Sequence, residues 1–233
     1  MRVAVLSDIH ANIQALEAVL RDCEDQLIDT FWLLGDYVDY GAAAQPVVKI
    51  LEALNAQYVI SGNHDACLYL SDVKPSATPH GKLSYIYTKQ RVESNPDAFL
   101  WLKNIAKTPM LTIPGTGIVL VHGTLDDPYW GKFSFDNEKQ ADNIFKDMEM
   151  LGIDMLFLGH SHVSFKLTKA NRVIINPGSV GQPRNGISDA QYVVFEDGNI
   201  KFRRVPYDIE GAAADIRAAH LPDYLWERLF LGA

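Results

Sequence analysis

Leu33-Leu34-Gly35-Asp36-Tyr37-Val38-Asp39 decides how this chain reads. An apolar run from Phe31 to Leu34 ends at a glycine that delivers a carboxylate straight into a loop. The device recurs four times. Val3–Leu6 leads into Ser7-Asp8-Ile9-His10, and Tyr58–Ile60 leads into Ser61-Gly62-Asn63-His64-Asp65. Ile118–Val121 leads into His122-Gly123, and Met155–Leu158 into Gly159-His160-Ser161-His162. Continuous apolar runs of this length suit strands buried on both faces. Ligands of open α/β sheets bind beyond the carboxyl ends of strands, so five strands are expected to bring their loops to one rim. Five of the seven histidines sit in these loops; only His80 and His220 do not.

The rest of the chain frames that reading. Its 233 residues are 48% hydrophobic with a formal net charge of −8. That length suits one large domain, 1–233, with a modest insertion. The acidic balance argues against a general nucleic-acid surface, which needs a basic stripe. No stretch approaches the roughly 20 apolar residues of a membrane span. Only Arg2 is basic ahead of the first, short apolar run, so no signal peptide is expected. Cys23 and Cys67 lack the paired spacing of a structural zinc site and read as reduced, partly buried thiols of a cytoplasmic protein.

Taken in order, the chain alternates strand and helix at first. Strand Arg2–Leu6 precedes a helix with Ile13, Leu16, Val19, Leu20 and Cys23 on its apolar face. Strand Phe31–Leu34 precedes a helix opened by Pro46, and Tyr58–Ile60 follows. The β-α-β-α-β pattern implies a parallel sheet. Residues 68–108 break the rhythm as a helical insertion. They read as helices near Pro79–Val92, lined by Leu83, Ile86 and Tyr87, and near Pro96–Ala106, lined by Phe99, Leu102 and Ile105. This pair is either ordinary packing or a cap or dimer surface. Thr112–Pro114 and Ile118–Val121 read as a hairpin around Gly115-Thr116-Gly117, and a helix spans Asn137–Leu151. After Met155–Leu158, the segments Phe165–Thr168, Val173–Ile175, Tyr192–Glu196 and Ile200–Val205 read as a meander, which suggests a second sheet facing the first. The tail is helical, with Asp208 capping one segment and Pro222 opening another.

The ordered set Asp8-x-His10, Gly35-Asp36-x-x-Asp39, Gly62-Asn63-His64-Asp65, His122-Gly123 and Gly159-His160-x-His162 resembles the calcineurin-like metallophosphoesterase superfamily, and within it the small bacterial and archaeal phosphoesterases. The match runs from Val3 to about Arg184. It implies an α/β fold of two facing mixed β-sheets flanked by helices, a four-layer αββα sandwich. It also implies two divalent metal ions. Oxygen and imidazole donors without a thiolate suit manganese, iron, zinc or similar ions and do not select among them. Asp8, His10 and His162 would hold one ion, Asn63, His122 and His160 the other, with Asp36 bridging. His64 would donate a proton to the leaving oxygen, and Asp39 would orient it.

Several residues keep two readings. Asn12 either caps the first helix or reaches a phosphate oxygen. Arg184 lies in the glycine-bearing loop Asn176-Pro177-Gly178-Ser179-Val180-Gly181-Gln182-Pro183-Arg184. It either grips phosphate through its fork of donors or forms a surface ion pair. Asp65 either orients a ligand or closes its turn. Tyr129 and Trp130 either stack on a nucleobase or pack. Tyr40 stands where the superfamily's phosphoprotein phosphatases carry arginine, which argues against a phosphoprotein substrate.

The function implied is hydrolysis of a small phosphate ester, a phosphodiester or a nucleotide, by attack of a metal-bound hydroxide. The alternative is a retired phosphoesterase fold serving as a protein-binding scaffold, which would show degraded motifs. A DNA nuclease is disfavoured by the acidic balance. Native substrate, metal identity and oligomeric state stay open, a homodimer among the options.

Overall fold

The computed structural model describes residues 1–233. Ten strands form two five-stranded sheets. In the first, β1 (Arg2–Leu6), β2 (Thr30–Leu33) and β3 (Tyr58–Val59) run parallel, joined by helices α1 (Ile13–Asp25) and α2 (Ala44–Ala53). β1 is central because it is apolar on both faces. Val3 and Val5 point to one side and Ala4 and Leu6 to the other, as the two-residue period of a strand requires. Ala4 and Leu6 pack with Leu16 and Val19 of α1 and Val47 and Leu51 of α2. Val3 and Val5 enter the layer between the sheets, with Trp32, Leu120, Phe157, Ile175 and Phe195. There the Trp32 ring meets Phe157 edge-on at 5.6 Å and Phe195 at 5.2 Å.

The second sheet has the order β4 (Met110–Thr112), β5 (Ile118–Val121), β6 (Met155–Leu158), β8 (Arg172–Asn176), β7 (Phe165–Lys169). Its outer face packs on the helix Glu138–Leu151 through Ile144, Phe145 and Met148. The expected αββα sandwich of two mixed sheets is therefore what the chain builds.

Four details differ from the sequence reading. The late strands do not form one meander. β9 (Ala190–Glu196) and β10 (Asn199–Val205) return to the first sheet, where β9 pairs antiparallel with β1 from Arg2 opposite Glu196 to Val5 opposite Val193. Apolar runs show burial on both faces but not which sheet receives them. The hairpin strand ends before Pro114, because proline has no N–H to give a ladder. Pro46 lies third in α2, not first; every N–H of the opening turn lacks a helical partner, so its missing donor costs nothing.

The fourth difference lies in the 68–108 segment. It contains the helix Pro79–Ser94, a single 3-10 turn Pro96–Phe99 and the helix Leu100–Ile105. Phe99 and Leu102 join the core, but Leu83 and Ile86 are 53% and 49% exposed. The buried side of that first helix is Gly81, Ser84, Thr88 and Val92. Small polar residues there let the helix approach the loop after β2, and the Ser84 hydroxyl accepts a hydrogen bond from the Tyr40 N–H. No helix is long and apolar enough to cross a membrane.

The join between α1 and the returning strands rests on Asp22. Its carboxylate accepts from the Tyr192 hydroxyl at 2.6 Å and from Arg203 through Nε at 3.0 Å and Nη2 at 2.6 Å. Burial raises the Asp22 pKa, but these donors outweigh it and hold the carboxyl below its usual value. A depressed carboxylate stabilises the fold above its unfolded pKa, and that contribution fades as pH falls through its folded one. Asp22→Asn is therefore expected to lower the melting temperature at pH 7 by roughly 2–4 °C. Thermal scans between pH 7 and 3 should show the variant and the wild type converging towards the acid end. A constant gap across that range would mean that the contact contributes through shape and not charge.

Candidate metal centre

The loops after β1, β2, β3, β5 and β6 meet at one rim. They approach closely because two glycines leave room. A Cβ on Gly35, whose φ is +91°, would come within 2.3 Å of the Gly62 nitrogen. A Cβ on Gly62 would come within 2.0 Å of Asp36 Oδ1. The loop after β1 is laced to the loop after β2 by Asp8 N–H to Gly35 O (3.0 Å), His10 N–H to Asp36 O (3.0 Å) and Ala11 N–H to Tyr37 O (2.8 Å). Asp65 clamps the third loop to the second. Its carboxylate accepts from the N–H groups of Asp36, Tyr37 and Gly62 at 2.8, 2.9 and 2.9 Å. Of the two roles left open for Asp65, the structure shows an organiser of the loop that carries Asp36.

Two clusters of donor atoms result. Asp8, His10 and His162 form one, and Asp36, His122 and His160 the other, each with its ligand atoms within 4.8 Å of one another. In the first, His10 Nε2 lies 3.1 Å from His162 Nε2, which lies 3.2 Å from Asp8 Oδ1. The tautomers follow from main-chain carbonyls, which can only accept. His10 Nδ1 donates to Val38 O at 3.0 Å, and His162 Nδ1 donates to Gln182 O at 2.6 Å. Both imidazoles are neutral, pushed well down by burial first; His162 then lowers His10, and Arg184 lowers His162. Their Nε2 lone pairs thus converge on Asp8 Oδ1, a buried oxygen without any hydrogen-bond partner. Three lone pairs directed at one point suit a cation.

The second cluster makes the same demand. His122 Nδ1 donates to Leu34 O at 2.8 Å, which leaves Nε2 facing Asp36 Oδ2 at 3.2 Å. Burial works against charge on His122, but Asp36 more than compensates and lifts it to about 9. Asp36, 1% exposed, is itself held well below the carboxylate range; burial opposes this, and His122 and His64 outweigh it. Its Oδ1 accepts from His64 N–H at 2.9 Å, whereas Oδ2 looks both to His122 and, at 3.7 Å, to His10 of the other cluster. One oxygen therefore lies between the two sets. Asn63 adds its side chain here, with Oδ1 3.1 Å from His122 Nε2. Turned over, the amide would donate to His122 and His160 instead, so this corner either satisfies itself or offers an oxygen. Burial, then His122, pushes His160 down to about 4, which leaves it neutral. The donor set fits two divalent ions: three neutral imidazoles, the His122 ring, which would give up its proton to a cation, two carboxylates and an amide oxygen, with no thiolate.

His64 stands beside the clusters and reaches the cleft. Its Nδ1 lies 2.8 Å from Asp39 Oδ2, and both side chains are buried. Burial disfavours the imidazolium, but Tyr40, Asp36 and Asp39 outweigh it and raise the pKa to about 10. Cations in the two clusters would oppose that rise. The Tyr40 ring sits 4.7 Å from both the His10 and His64 rings.

The remaining nominated residues divide. Asn12 is the helix cap: its Oδ1 accepts from Ala15 N–H at 3.0 Å, its amide donates to Gly181 O at 2.9 Å, and it does not line the cleft. Arg184 does line the cleft and pairs with no carboxylate; its Nη2 donates to Gln182 Oε1 at 2.9 Å. The loop before it braces the rim, with Asn176 donating to Gly159 O at 2.7 Å and Ser179 donating to Asp8 O at 2.6 Å. Tyr129 packs through a hydrogen bond to Ala106 O, while Trp130 borders the cleft, edge-on to His160 at 5.8 Å. The sequence reading gave no binding role to Tyr40, His80, Lys132, Tyr224 or Arg228, all of which line the cleft.

A family model described as a calcineurin-like phosphoesterase superfamily domain matches residues 1–198. The chain belongs to the calcineurin-like phosphoesterase superfamily, whose members typically bind divalent metals. An uncharacterized protein of Methanocaldococcus jannaschii is 33% identical over 250 residues, covering 99% of this chain and 98% of that protein. The crystal structure of a metallophosphoesterase from Sphaerobacter thermophilus superposes with a TM-score of 0.85 at 30% identity, covering 100% of both chains. A hypothetical protein from Pyrococcus horikoshii OT3 superposes with a TM-score of 0.87 at 22% identity, covering 100% of this chain and 98% of that one. A symmetrical bis(5'-nucleosyl)-tetraphosphatase of Baumannia cicadellinicola is 36% identical over 67 residues, which is 28% of this chain and 23% of that protein.

Asp65→Ala would leave three buried N–H groups without an acceptor. Unsatisfied buried donors cost about 1–3 kcal/mol each, so urea denaturation is expected to show a loss of at least about 3 kcal/mol. Bound manganese, counted by mass spectrometry of the native protein, should fall below the wild-type stoichiometry because the loop holding Asp36 is released. Wild-type stability and metal content together would show that the clamp does no work.

Proposed function

We propose that this chain is a two-metal phosphoesterase that hydrolyses a small phosphate ester, a phosphodiester or a nucleotide. The observation that carries the reading is Asp36 Oδ2, buried between His10 of one donor cluster and His122 of the other. Asp8, His10 and His162 would hold one divalent ion and Asn63, His122 and His160 the other, with Asp36 shared. The ions, of manganese, iron, zinc or similar type, would supply positive charge against the phosphoryl oxygens and acidify water.

The protein's own part is proton handling and placement. Asp39 fixes the His64 ring through Nδ1 and favours its protonated form. His64 Nε2 then carries the proton that the departing oxygen needs. Arg184 faces the same cleft and would steady the phosphoryl group. The clustering of Asp8, His10 and His162, and of Asp36, His122 and His160, supports this reading over a retired scaffold, whose motifs would be degraded. We read the chain as one domain with its helical insertion at 68–108. Two free buried cysteines fit a cytoplasmic enzyme.

Hydrolysis of bis-p-nitrophenyl phosphate is expected to need a divalent metal, to stop with EDTA and to return with manganese. His64→Asn should lower kcat by roughly 10²–10⁴-fold, the usual worth of a general acid, with metal content unchanged. A wild-type rate in that variant would remove His64 from the mechanism. No hydrolysis with any divalent metal would sink the enzyme reading.

A further inference from the structure

The cleft over the metal centre has a volume of about 360 Å³, within the range of small-ligand sites. Its floor is the clusters and His64. Its outer wall is made by Arg184, Arg228, Lys132, His80, Tyr224 and Trp130. The chain carries a net charge of −8, yet Asp36, on the floor, is the only carboxylate among the lining residues. The wall is cationic against the trend of the molecule.

Arg228 is the telling residue. It lies on the final helix, Asp223–Leu231, in the stripe with Leu225 and Leu229 that faces inward, and is 6% exposed. Its Nε donates to the main-chain oxygen of Ala233, and its guanidinium lies 5.0 Å from the Tyr224 ring. Arg2, Arg203 and Arg217 each pair with an acidic side chain; Arg228 and Arg184 pair with none, and the buried Nε of Arg184 has no hydrogen-bond partner. Burial, and then the charge of Arg184, lower the Arg228 pKa to about 10, so Arg228 remains a cation at neutral pH. Two like charges in one wall with no acidic side chain paired to either repel each other. They are well suited to an anion that brings several acceptor oxygens.

The wall extends away from the clusters in steps. Arg184 Cζ is 6.0 Å from the Tyr40 ring, which touches His10 and His64. Arg228 reaches Tyr224, whose ring lies 4.6 Å from the His80 ring at a tilt of 41°, and both rings line the cleft. We propose that Arg184 and Arg228, with Lys132 of the same cleft, form a second-anion subsite that selects phosphate esters carrying another phosphoryl group on the same molecule, such as the polyphosphate chain of a nucleotide. The proposal rests on the phosphoesterase reading for the first phosphate and adds the second. Tyr224 and Trp130 offer exposed aromatic faces to the organic part. Arg228 and Tyr224 lie beyond the residues 1–198 that the family model matches, so the tail adds these two to a wall whose other members lie within it.

ADP and AMP differ by one phosphoryl group and test this by calorimetric titration of the full chain in excess manganese. ADP is expected to bind the wild type at least about tenfold more tightly, a difference of about 1.4 kcal/mol. Arg228→Gln should bring the two affinities to within about threefold of each other, and Arg228→Lys should keep part of the preference. Lys132 is exposed, so Lys132→Ala decides the matter even if Arg228→Gln does not fold; it should shrink the preference in the same direction. Equal affinities in the wild type, or a preference untouched by Lys132→Ala and Arg228→Gln, would overturn the subsite. Hydrolysis of bis-p-nitrophenyl phosphate tests the underlying reading separately. An ADP preference without hydrolysis would leave the subsite and remove the enzyme, and hydrolysis without the preference would do the reverse.

Discussion

A charged carboxylate oxygen has been taken out of water between two sets of imidazoles, and the rest of the structure follows from holding it there. Asp36 is 1% exposed. A buried charge is tolerated only when paired and hydrogen-bonded. Its Oδ1 is satisfied by the His64 N–H, and its Oδ2 has only imidazole nitrogens for company. That imbalance sets the requirements around it. The loop must come close, so Gly35 and Gly62 lack side chains. It must not drift, so Asp65 fastens it through three N–H groups. Its neighbours must turn their Nε2 atoms towards it, so main-chain carbonyls hold the rings of His10, His122 and His162 through Nδ1.

Holding those directions strains the backbone. Asp8, His10, Asp36, His160 and His162 all have positive φ, between 50° and 62°. A non-glycine residue there costs of order 1–3 kcal/mol and persists only where its surroundings over-determine it. The sandwich provides that. Each strained residue follows a strand locked on both faces, by helices outside and by the Trp32, Phe157 and Phe195 aromatic layer within. Asp39 and Tyr40 share the left-handed conformation at 66° and 64°. The bends that aim the ligands thus also aim the His64 orienter and the ring that lies against it.

The residues of the two donor clusters were legible because each follows a short apolar run, which reads as a buried strand whose end lies at a rim. Their partition into two sets, and the shared position of Asp36, came from resemblance; spacing alone does not carry them. What was missed has physical causes. The placement of β9 and β10 in the first sheet depends on pairing across nearly 190 residues, from Arg2 to Glu196, which local pattern does not encode. Leu83 and Ile86 were read as inward because apolar residues usually are. The neighbouring loop instead takes the side bearing Ser84, whose hydroxyl bonds the Tyr40 N–H. Asp65 kept two readings because its acceptors serve main-chain donors, and these have no sequence signature. Arg228 did leave a trace: a cation in the stripe of Leu225 and Leu229 breaks the helix pattern where a buried residue belongs.

Tyr40 joins the metal centre to the tail. Its ring touches His10 and His64 on one side. On the other it packs with Ala212, Ile216, Leu225 and Leu229 of the last two helices and with Leu221 between them. The residue where phosphoprotein phosphatases of the superfamily carry arginine thus serves here as the apolar seat of the final helix. That helix returns a guanidinium to the cleft from another direction. Because the molecule as a whole is acidic, its long-range field does not draw anions in; attraction must be local, and clefts with low-dielectric walls concentrate such fields. A cationic wall seated on the same tyrosine that lies against His64 would couple where a substrate is held to where it reacts, through packing as well as charge.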